Sequence, residues 1–552
     1  MKNHPAFVIC ILITTVFLFE TKAQSTFSSV HQILQSHCAS SGCHNTADVA
    51  AGLDITASSA DVYTALLNSV PQNTTAAAKG NKLIAPGYIA ESFLYRKIAE
   101  GFDPMAQLET AEHGTAHDSL SSLSNVELET IRQWIQYGAP MNDTVVDPQL
   151  IHDFHSGSGL PLVIKPLSPE EEGLEGIQLR IGPILMYPGQ EDEYFHKFKA
   201  GLSSEKEIYR METYFDSYSH HFVLYNFLPT PAASYPEGVQ DAGSYSAQIP
   251  IQIGALEIGA WSRSQNNQLP PGTAFFWDTT TNLVMDYHVR NYNTTMVLGA
   301  TCYINIYTRD KQQTTSEMKM DFPVYGGFNP FVLQIPPTGQ PYKVEFALIK
   351  PNQTWNIWRM QGHTHLLGTD FDIYLRNADG TRGRQVYEGF YNPEYTFNQG
   401  FFDNQHAPVR TTETPFERVD MDNGLILEAT YLNNTGDTVG FGLTTKHEMF
   451  ASYITYTLYK NATSDEAVLD NPEPEIHVQP NPARDFITVQ FSDAKPTTRS
   501  LRIYSLEGKI CFQSPEFTAE AFTMPVQNFP TGVYFIEIMN GDKTMVTKIL
   551  VE

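Results

Sequence analysis

A chain of 552 residues is too long for one compact core, and its length suggests about three or four domains. Hydrophobic residues make up 41% and aromatics 12%, which excludes disorder throughout. With 61 acidic residues against 35 basic, the formal net charge is −26; such a surface repels phosphate backbones and argues against nucleic acid as a partner.

In chain order, residues 1–23 read as an export signal. Met1-Lys2-Asn3-His4 gives a positive start, Phe7 to Phe19 an apolar run, and Thr21-Lys22-Ala23 a small-residue cleavage site before Gln24. The run is short for a membrane span, and no later stretch is long and apolar enough to be one. Residues 24–140 have helical character. Apolar residues recur at helical spacing from Val126 to Tyr137, with Ser124-Asn125 as the cap and Gly138 as the stop. Residues 141–170, rich in Pro, Gly, Asp and Ser, predict a linker.

From 171 to 462 the texture changes to alternating, aromatic and β-branched runs. Examples are Phe222–Tyr225, Tyr303–Tyr307, Lys343–Lys350 and Phe371–Leu375. This predicts two antiparallel β-sandwiches, 171–312 and 313–462, with the stretch 310–325 as their join. A second linker, 463–475, ends at Pro472-Glu473-Pro474-Glu475. Residues 476–552 carry short strand-like runs and predict a small immunoglobulin-like β-sandwich. The expected fold is therefore multidomain: a small mostly-α domain followed by β-sandwiches.

Five cysteines are present. Cys10 leaves with the signal, and Cys302 and Cys511 show no obvious partner, so the exported chain is disulfide-poor. Cys38 and Cys43 stand beside His44 in a Cys-x4-Cys-His pattern. Two such thiols can form thioether bonds to a haem whose iron the adjoining His reaches; they can also close a local disulfide or act as a redox pair. The segment, with its tail helix Ile131–Ala139, resembles the small c-type cytochrome domains of bacterial multidomain proteins, whose usual spacing is Cys-x2-Cys-His. The resemblance implies one haem c per chain, bound through Cys38 and Cys43, with His44 and Met105 as axial ligands.

Two histidine motifs open strand-like runs. His363 and His365 would share one face of a strand and could chelate one ion. The adjacent His220 and His221 point to opposite faces of a regular strand and reach one metal only at a bulge or strand end. Imidazoles suit copper and leave an open or redox-flexible coordination sphere. The order His-His (SHHFVLYNF), lone His (MDYHVRNYN), His-x-His (GHTHLLG) and Glu-Met (KHEMFASYITYTLY) resembles the copper type II, ascorbate-dependent monooxygenases. These include peptidylglycine α-hydroxylating and dopamine β-monooxygenases, and the resemblance spans about 171–460. It implies two separate mononuclear copper sites: an electron-transfer copper at His220, His221 and His288, and an O2-binding, hydroxylating copper at His363, His365 and Met449. Tyr453 matches a substrate-contacting Tyr. The Arg that clamps a substrate carboxylate in peptide-acting members is Gln361 here, a family Asn is Ala451, and the family's disulfide cysteines are missing. His406 and His447 read as surface or supporting groups, and His152 and His155 as linker residues.

Val478–Arg484, Gly532–Ile538 and Lys548–Val551 resemble the C-terminal sorting domain of type IX secretion substrates. This implies passage through the outer-membrane secretion machinery to the cell surface or medium. The chain is therefore expected to be a secreted copper-dependent monooxygenase that hydroxylates a C–H bond of a small-molecule or peptide-like substrate with O2. Its electrons would come from ascorbate or a cytochrome, the fused haem included, and enter through the His220/His221/His288 copper. The alternative is a non-catalytic surface copper/haem electron-transfer protein.

Overall fold

The computed structural model describes residues 24–114, 123–216, 218–227, 236–241, 255–260, 265–327, 329, 331–391, 407–412, 416–442, 445–459, 476–479, 483–491, 498–505, 509–540 and 543–551. For some strand residues within these ranges, His220 and His221 among them, the description is of the backbone alone. The export signal at 1–23, the linker at 463–475 and His406 lie outside the described residues. The chain divides into two compact units, one of residues 1–411 with 419–458 and one of 412–418 with 459–552.

The first unit begins with helices: α1 Thr26–Cys38, α2 Ser59–Leu66, α3 Thr74–Ala78, α4 Phe93–Ala99, α5 Thr110–His113 and α6 Asn125–Gln136. Ser124 and Glu127 form the reciprocal capping box that a Ser-x-x-Glu spacing allows, so α6 starts where its sequence signals it. One stripe of α6 (Leu128, Ile131, Trp134 and Ile135) packs into a core with Phe27, Val30 and Leu34 of α1. The opposite stripe is polar yet also buried. There Arg132 forms an ion pair with Glu129 and donates to the carbonyls of Gly182, at 3.1 Å, and Pro183. Buried guanidinium needs such partners, so this polar face marks a docking surface rather than a solvated one.

The segment expected to be a linker carries a seventh helix, α7 Pro148–Asp153, capped by Asp147. Val146, Leu150 and Ile151 pack with Leu185 and Val297 of the β-region. Asp followed by Pro belongs to helix starts as much as to linkers, and composition alone does not separate the two.

The β-region of this unit is built from β1 Gly176–Met186, β2 Glu191–Lys199, β3 Lys206–Phe215, β4 Ser219–Phe227, β5 Val239–Asp241, β6 Ala255–Ala260, β7 Gln265–Gln268, β8 Thr273–Trp277, β9 Asn282–Arg290 and β10 Leu298–Asp310. It continues with β11 Ser316–Asp321, β12 Gln334–Ile335, β13 Pro341–Leu348, β14 Thr354–His363, β15 Gly368–Arg376, β16 Arg382–Phe390, β17 Arg410–Thr411, β18 Glu417–Asp420, β19 Leu425–Leu432, β20 Val439–Gly440 and β21 Ala451–Leu458. One sheet runs in the order β1-β10-β3-β8-β11-β21-β14-β17 and so crosses both predicted halves. A five-stranded sheet, β5-β2-β9-β4-β6, belongs to the first half, and a four-stranded sheet, β13-β19-β15-β16, to the second. The halves join where β8 and β11 pair in parallel, at Ser316↔Thr273 and Glu317↔Ala274. The stretch expected only to connect them is thus itself a shared strand. The second half buries Trp355, Ile357, Phe371, Ile373, Leu427 and Ile454 between its sheets.

The second unit packs a three-stranded sheet (Ile476–Gln479, Phe486–Phe491, Ala521–Pro525) with a four-stranded one (Arg499–Ser505, Ile510–Gln513, Gly532–Asn540, Lys543–Val551). Ile487, Val489, Leu501, Ile503, Ile536 and Ile538 form its core. The molecule is mostly β, with its helices concentrated towards the N-terminus.

Candidate metal centre

His288 lies on β9, where every residue from Leu283 to Val289 is buried. Its ring is fully buried, and Nε2 lies 3.1 Å from Glu191 Oε1 on the neighbouring β2. A carboxylate accepts, so this contact places the imidazole proton on Nε2 and the lone pair on Nδ1. Burial pulls the Glu191 carboxyl up, but bonds from His288 and Thr445 outweigh it and hold its pKa down to about 2. Next to it, Glu193 and Asp286 are both buried, and burial raises both carboxyls. Tyr225 donates its hydroxyl to Asp286 Oδ2 at 2.8 Å.

The β4–β9 ladder brings the backbone of the paired histidines to His288. Ser219 pairs with Val289 and His221 with His288, so His220 is the extra residue of a register shift. That is the irregularity an adjacent His-His pair requires if both are to serve one ion. Below it, the Ser219 hydroxyl lies 2.7 Å from Tyr287 Oη, which donates to half-buried Asp216 at 3.0 Å and pins the start of β4. The side chains of His220 and His221 lie outside the described residues.

In the second half, β14 ends at His363, and His365 sits in the turn beyond it. The two histidines are therefore not neighbours on one pleated face, as the alternation predicts. Glu448 instead fixes the turn that carries His365 and joins it to Met449. Its buried carboxylate accepts from the backbone N–H of His365 at 2.9 Å, Leu367 at 2.6 Å and Met449 at 3.3 Å. Burial pushes its pKa up to about 8 against those three donors. His365 Nδ1 donates to the His447 carbonyl at 3.1 Å, which leaves the lone pair of that tautomer on Nε2.

The rings of His363 and His365 are 5.2 Å apart and nearly perpendicular. Two imidazoles on one tetrahedral ion, with metal–nitrogen distances of about 2 Å, have centroids about 5 Å apart. The pair therefore fits a shared ion. Met449 is 6% exposed and offers a soft thioether from the same segment. Tyr453, on β21 opposite Gln361, places its ring 6.5 Å from that of His363. Gln361 is buried and donates to the Ala407 carbonyl at 3.1 Å. The two histidine groups also approach each other: His288 and His365 have ring centroids 6.5 Å apart.

The N-terminal Cys-x4-Cys-His loop follows α1. Cys38 and Cys43 are free thiols, half-buried, with no disulfide between them. Burial and the neighbouring Cys43 push the Cys38 thiol up to about 11. His44 Nδ1 donates to the Ala50 carbonyl at 2.8 Å, which orients the ring with its lone pair on Nε2, the tautomer that could bind a metal. This donor set fits a haem c. Met105 is half-buried, and its N–H donates to Asp103 Oδ1 at 2.8 Å. Asp103 in turn holds Arg180 of β1 through two bonds of 2.8 and 2.9 Å. His31, by contrast, spends both ring nitrogens on Ser59 Oγ and the Ile55 carbonyl, a structural role.

Comparison with known proteins identifies the end of the chain. Residues 477–552 match the secretion system C-terminal sorting domain. That domain directs type IX secretion, so the chain engages that machinery and is exported to the cell surface or released. No curated protein matches the chain. Among solved structures, a β-glucuronidase from Ruminococcus gnavus in complex with C6-substituted uronic isofagomine is 12% identical over 38% of this chain and 35% of that one, with a TM-score of 0.14. A Faecalibacterium prausnitzii β-glucuronidase is 9% identical over 38% and 36%, also with a TM-score of 0.14. The chain thus spans little more than a third of the length of these enzymes.

Glu191 and Thr445 are site residues that carry no signal in the sequence. The Glu448-Met449 pair is visible in the sequence, but nothing there indicates that the carboxylate binds a turn 83 residues away.

Proposed function

We propose that this exported chain is a copper-dependent monooxygenase. The reading is carried by one observation: His363 and His365 are buried at the spacing of a shared ion, while the Glu448 carboxylate ties the backbone of His365 to that of Met449. His363, His365 and Met449 would hold one copper; His288, with His220 and His221, would hold the other. Copper supplies the one-electron and O2 chemistry when bound. The overall reaction inserts one oxygen atom into a C–H bond and reduces the other to water, consuming two electrons and two protons.

The chain's own residues supply orientation and dryness. Glu191 and the His447 carbonyl fix the tautomers of His288 and His365. Burial of all three described histidines excludes bulk water from their rings. Tyr453 stands beside His363, where it can contact a substrate. Gln361 carries no charge to hold a substrate carboxylate, and its amide donates to the Ala407 carbonyl. Cys38, Cys43, His44 and Met105 would hold a haem c, which would supply electrons internally; otherwise ascorbate or an external cytochrome serves.

The second reading is a non-catalytic copper/haem electron-transfer protein, and the uncharged amide at Gln361 favours it. Oxygen uptake by the copper-loaded chain separates the two. Uptake that requires a reductant and is lost in Met449→Ala supports the enzyme; copper binding with no uptake across a screen of C–H substrates supports the carrier.

A further inference from the structure

We propose that the β-region positions Met105, the second axial ligand of the haem reading, through the Arg180–Asp103 pair. The inference rests on that reading of Cys38, Cys43, His44 and Met105. It goes further by naming the residues that hold the thioether's loop in place.

Met105 lies in a tight turn beyond α4, and Asp103 closes that turn twice. The N–H of Ala106 donates to the Asp103 carbonyl at 2.9 Å, and the N–H of Met105 donates to Asp103 Oδ1 at 2.8 Å. The same carboxylate also meets β1. Arg180 Nη1 donates to Oδ1 at 2.8 Å and Nη2 to Oδ2 at 2.9 Å, while buried Tyr95 donates its hydroxyl to Oδ2 at 3.2 Å. A forked guanidinium fixes both oxygens of a carboxylate, and with them the plane of the group. Oδ1 is therefore held facing the Met105 N–H by a side chain of the β-region. An ion pair that served docking alone could use any carboxylate on the helices; this one is built into the turn that carries the thioether.

The helices are seated firmly enough for such a contact to set a position. Gly138 and Gly238 meet backbone to backbone, so close that a Cβ on Gly238 would lie 2.5 Å from Gly138 N. His196 Nε2 on β2 lies 2.9 Å from the Gly87 carbonyl, and Arg132 on α6 donates to the Gly182 carbonyl at 3.1 Å. Arg180 thus holds Asp103 from a fixed place. A thioether is a neutral ligand and depends on the loop that presents it. Arg180 and Asp103 are positioning residues in this scheme; they act through the backbone of Met105.

Visible spectroscopy and redox titration of the full chain, expressed with its covalently attached haem, test this. The oxidised wild type should show the weak red-end charge-transfer band of methionine-ligated ferric haem, and Met105→Ala should lose it. Arg180→Ala should lose the band and lower the midpoint potential, because the thioether raises it, with haem still attached to the denatured polypeptide. Arg180→Lys keeps the charge without the fork, and its potential should lie between the two. Val62→Ala, which weakens the helical core away from Asp103, should leave band and potential unchanged. Wild-type band and potential in folded Arg180→Ala, or in Arg180→Lys if Arg180→Ala does not fold, would overturn the proposal. An equal shift in Val62→Ala would overturn it too, by reducing the effect to stability. A wild-type polypeptide that retains no haem when denatured, or an unchanged spectrum in Met105→Ala, would instead defeat the ligand reading itself.

Discussion

The buried histidines of the β-region and the Cys-His loop after α1 are built in opposite ways. His288, His363 and His365 are at most 3% exposed and sit among fixed strands, with Glu191 and Glu448 bonded around them. Cys38, Cys43 and His44 are half-buried in a turn held by bonds such as His44 N to the Cys38 carbonyl at 3.1 Å. The first arrangement is preorganised: side chains distant in sequence are brought together by sheets, and an ion would add little to the order already present. The second is local, with all three donors within seven residues, and a covalently attached group would complete it. A preorganised site is damaged most by removing a donor; a local site is damaged most by removing its attachment.

Met449→Ala should have the largest effect. It should abolish reductant-dependent oxygen uptake and lower bound copper from about two to about one per chain, because the His288 group does not depend on that thioether. Elemental analysis and an oxygen electrode read both effects; equal copper in the variant and the wild type would refute the assignment. On the other side of the comparison, replacing Cys38 and Cys43 together by Ser should eliminate haem that stays with the denatured polypeptide. Copper content should not change. Loss of copper as well would mean that the two regions are not independent in assembly.

The two regions meet through Asp103 and Arg180, whose side chains are 2% and 6% exposed. Arg180→Ala leaves a buried carboxylate uncompensated and should cost about 3–5 kcal/mol in denaturant unfolding. A change under about 1 kcal/mol would show that the helices are not docked by this contact. Glu448→Gln keeps one acceptor oxygen but turns an amide NH2 towards one of the three backbone donors, and should weaken copper binding by about 10–100-fold while the fold survives. Full affinity in that variant would refute the account of how His365 meets Met449.

The smallest effect is an acid one. Burial would raise the Asp103 carboxyl, but the Arg180 guanidinium holds its pKa down to about 2 from 3.8. A carboxyl depressed on folding contributes stability that is present above its unfolded pKa and is lost as pH falls towards the folded value. About 2 kcal/mol should therefore disappear between pH 4 and pH 2, and much less in Arg180→Ala. Melting curves across that range check it; equal losses in both proteins would contradict it.

Local features were legible in the sequence because they are local in chemistry. Ser124 and Glu127 start α6, and alternation marks the runs inside β4, β10, β13 and β15. The tail strands around Phe486–Phe491 and Gly532–Asn540 follow from the same pattern. The adjacent His220-His221 pair even implies the register shift at β4. What the sequence hides is anything set by long-range pairing. The parallel β8–β11 contact turns an expected join into a shared strand, and α7 docks within an expected linker. Glu191 lies 97 residues from His288 and 254 from Thr445, and no periodicity signals either bond. The alternation predicts that His363 and His365 share a pleated face, whereas the structure places His365 in a turn that a buried carboxylate holds.

Copper stoichiometry tests the central claim most directly. The full-length chain, loaded with copper and then freed of excess metal, should retain about two ions per chain, and His365→Ala should retain about one. A wild-type chain that retains no copper would contradict the account.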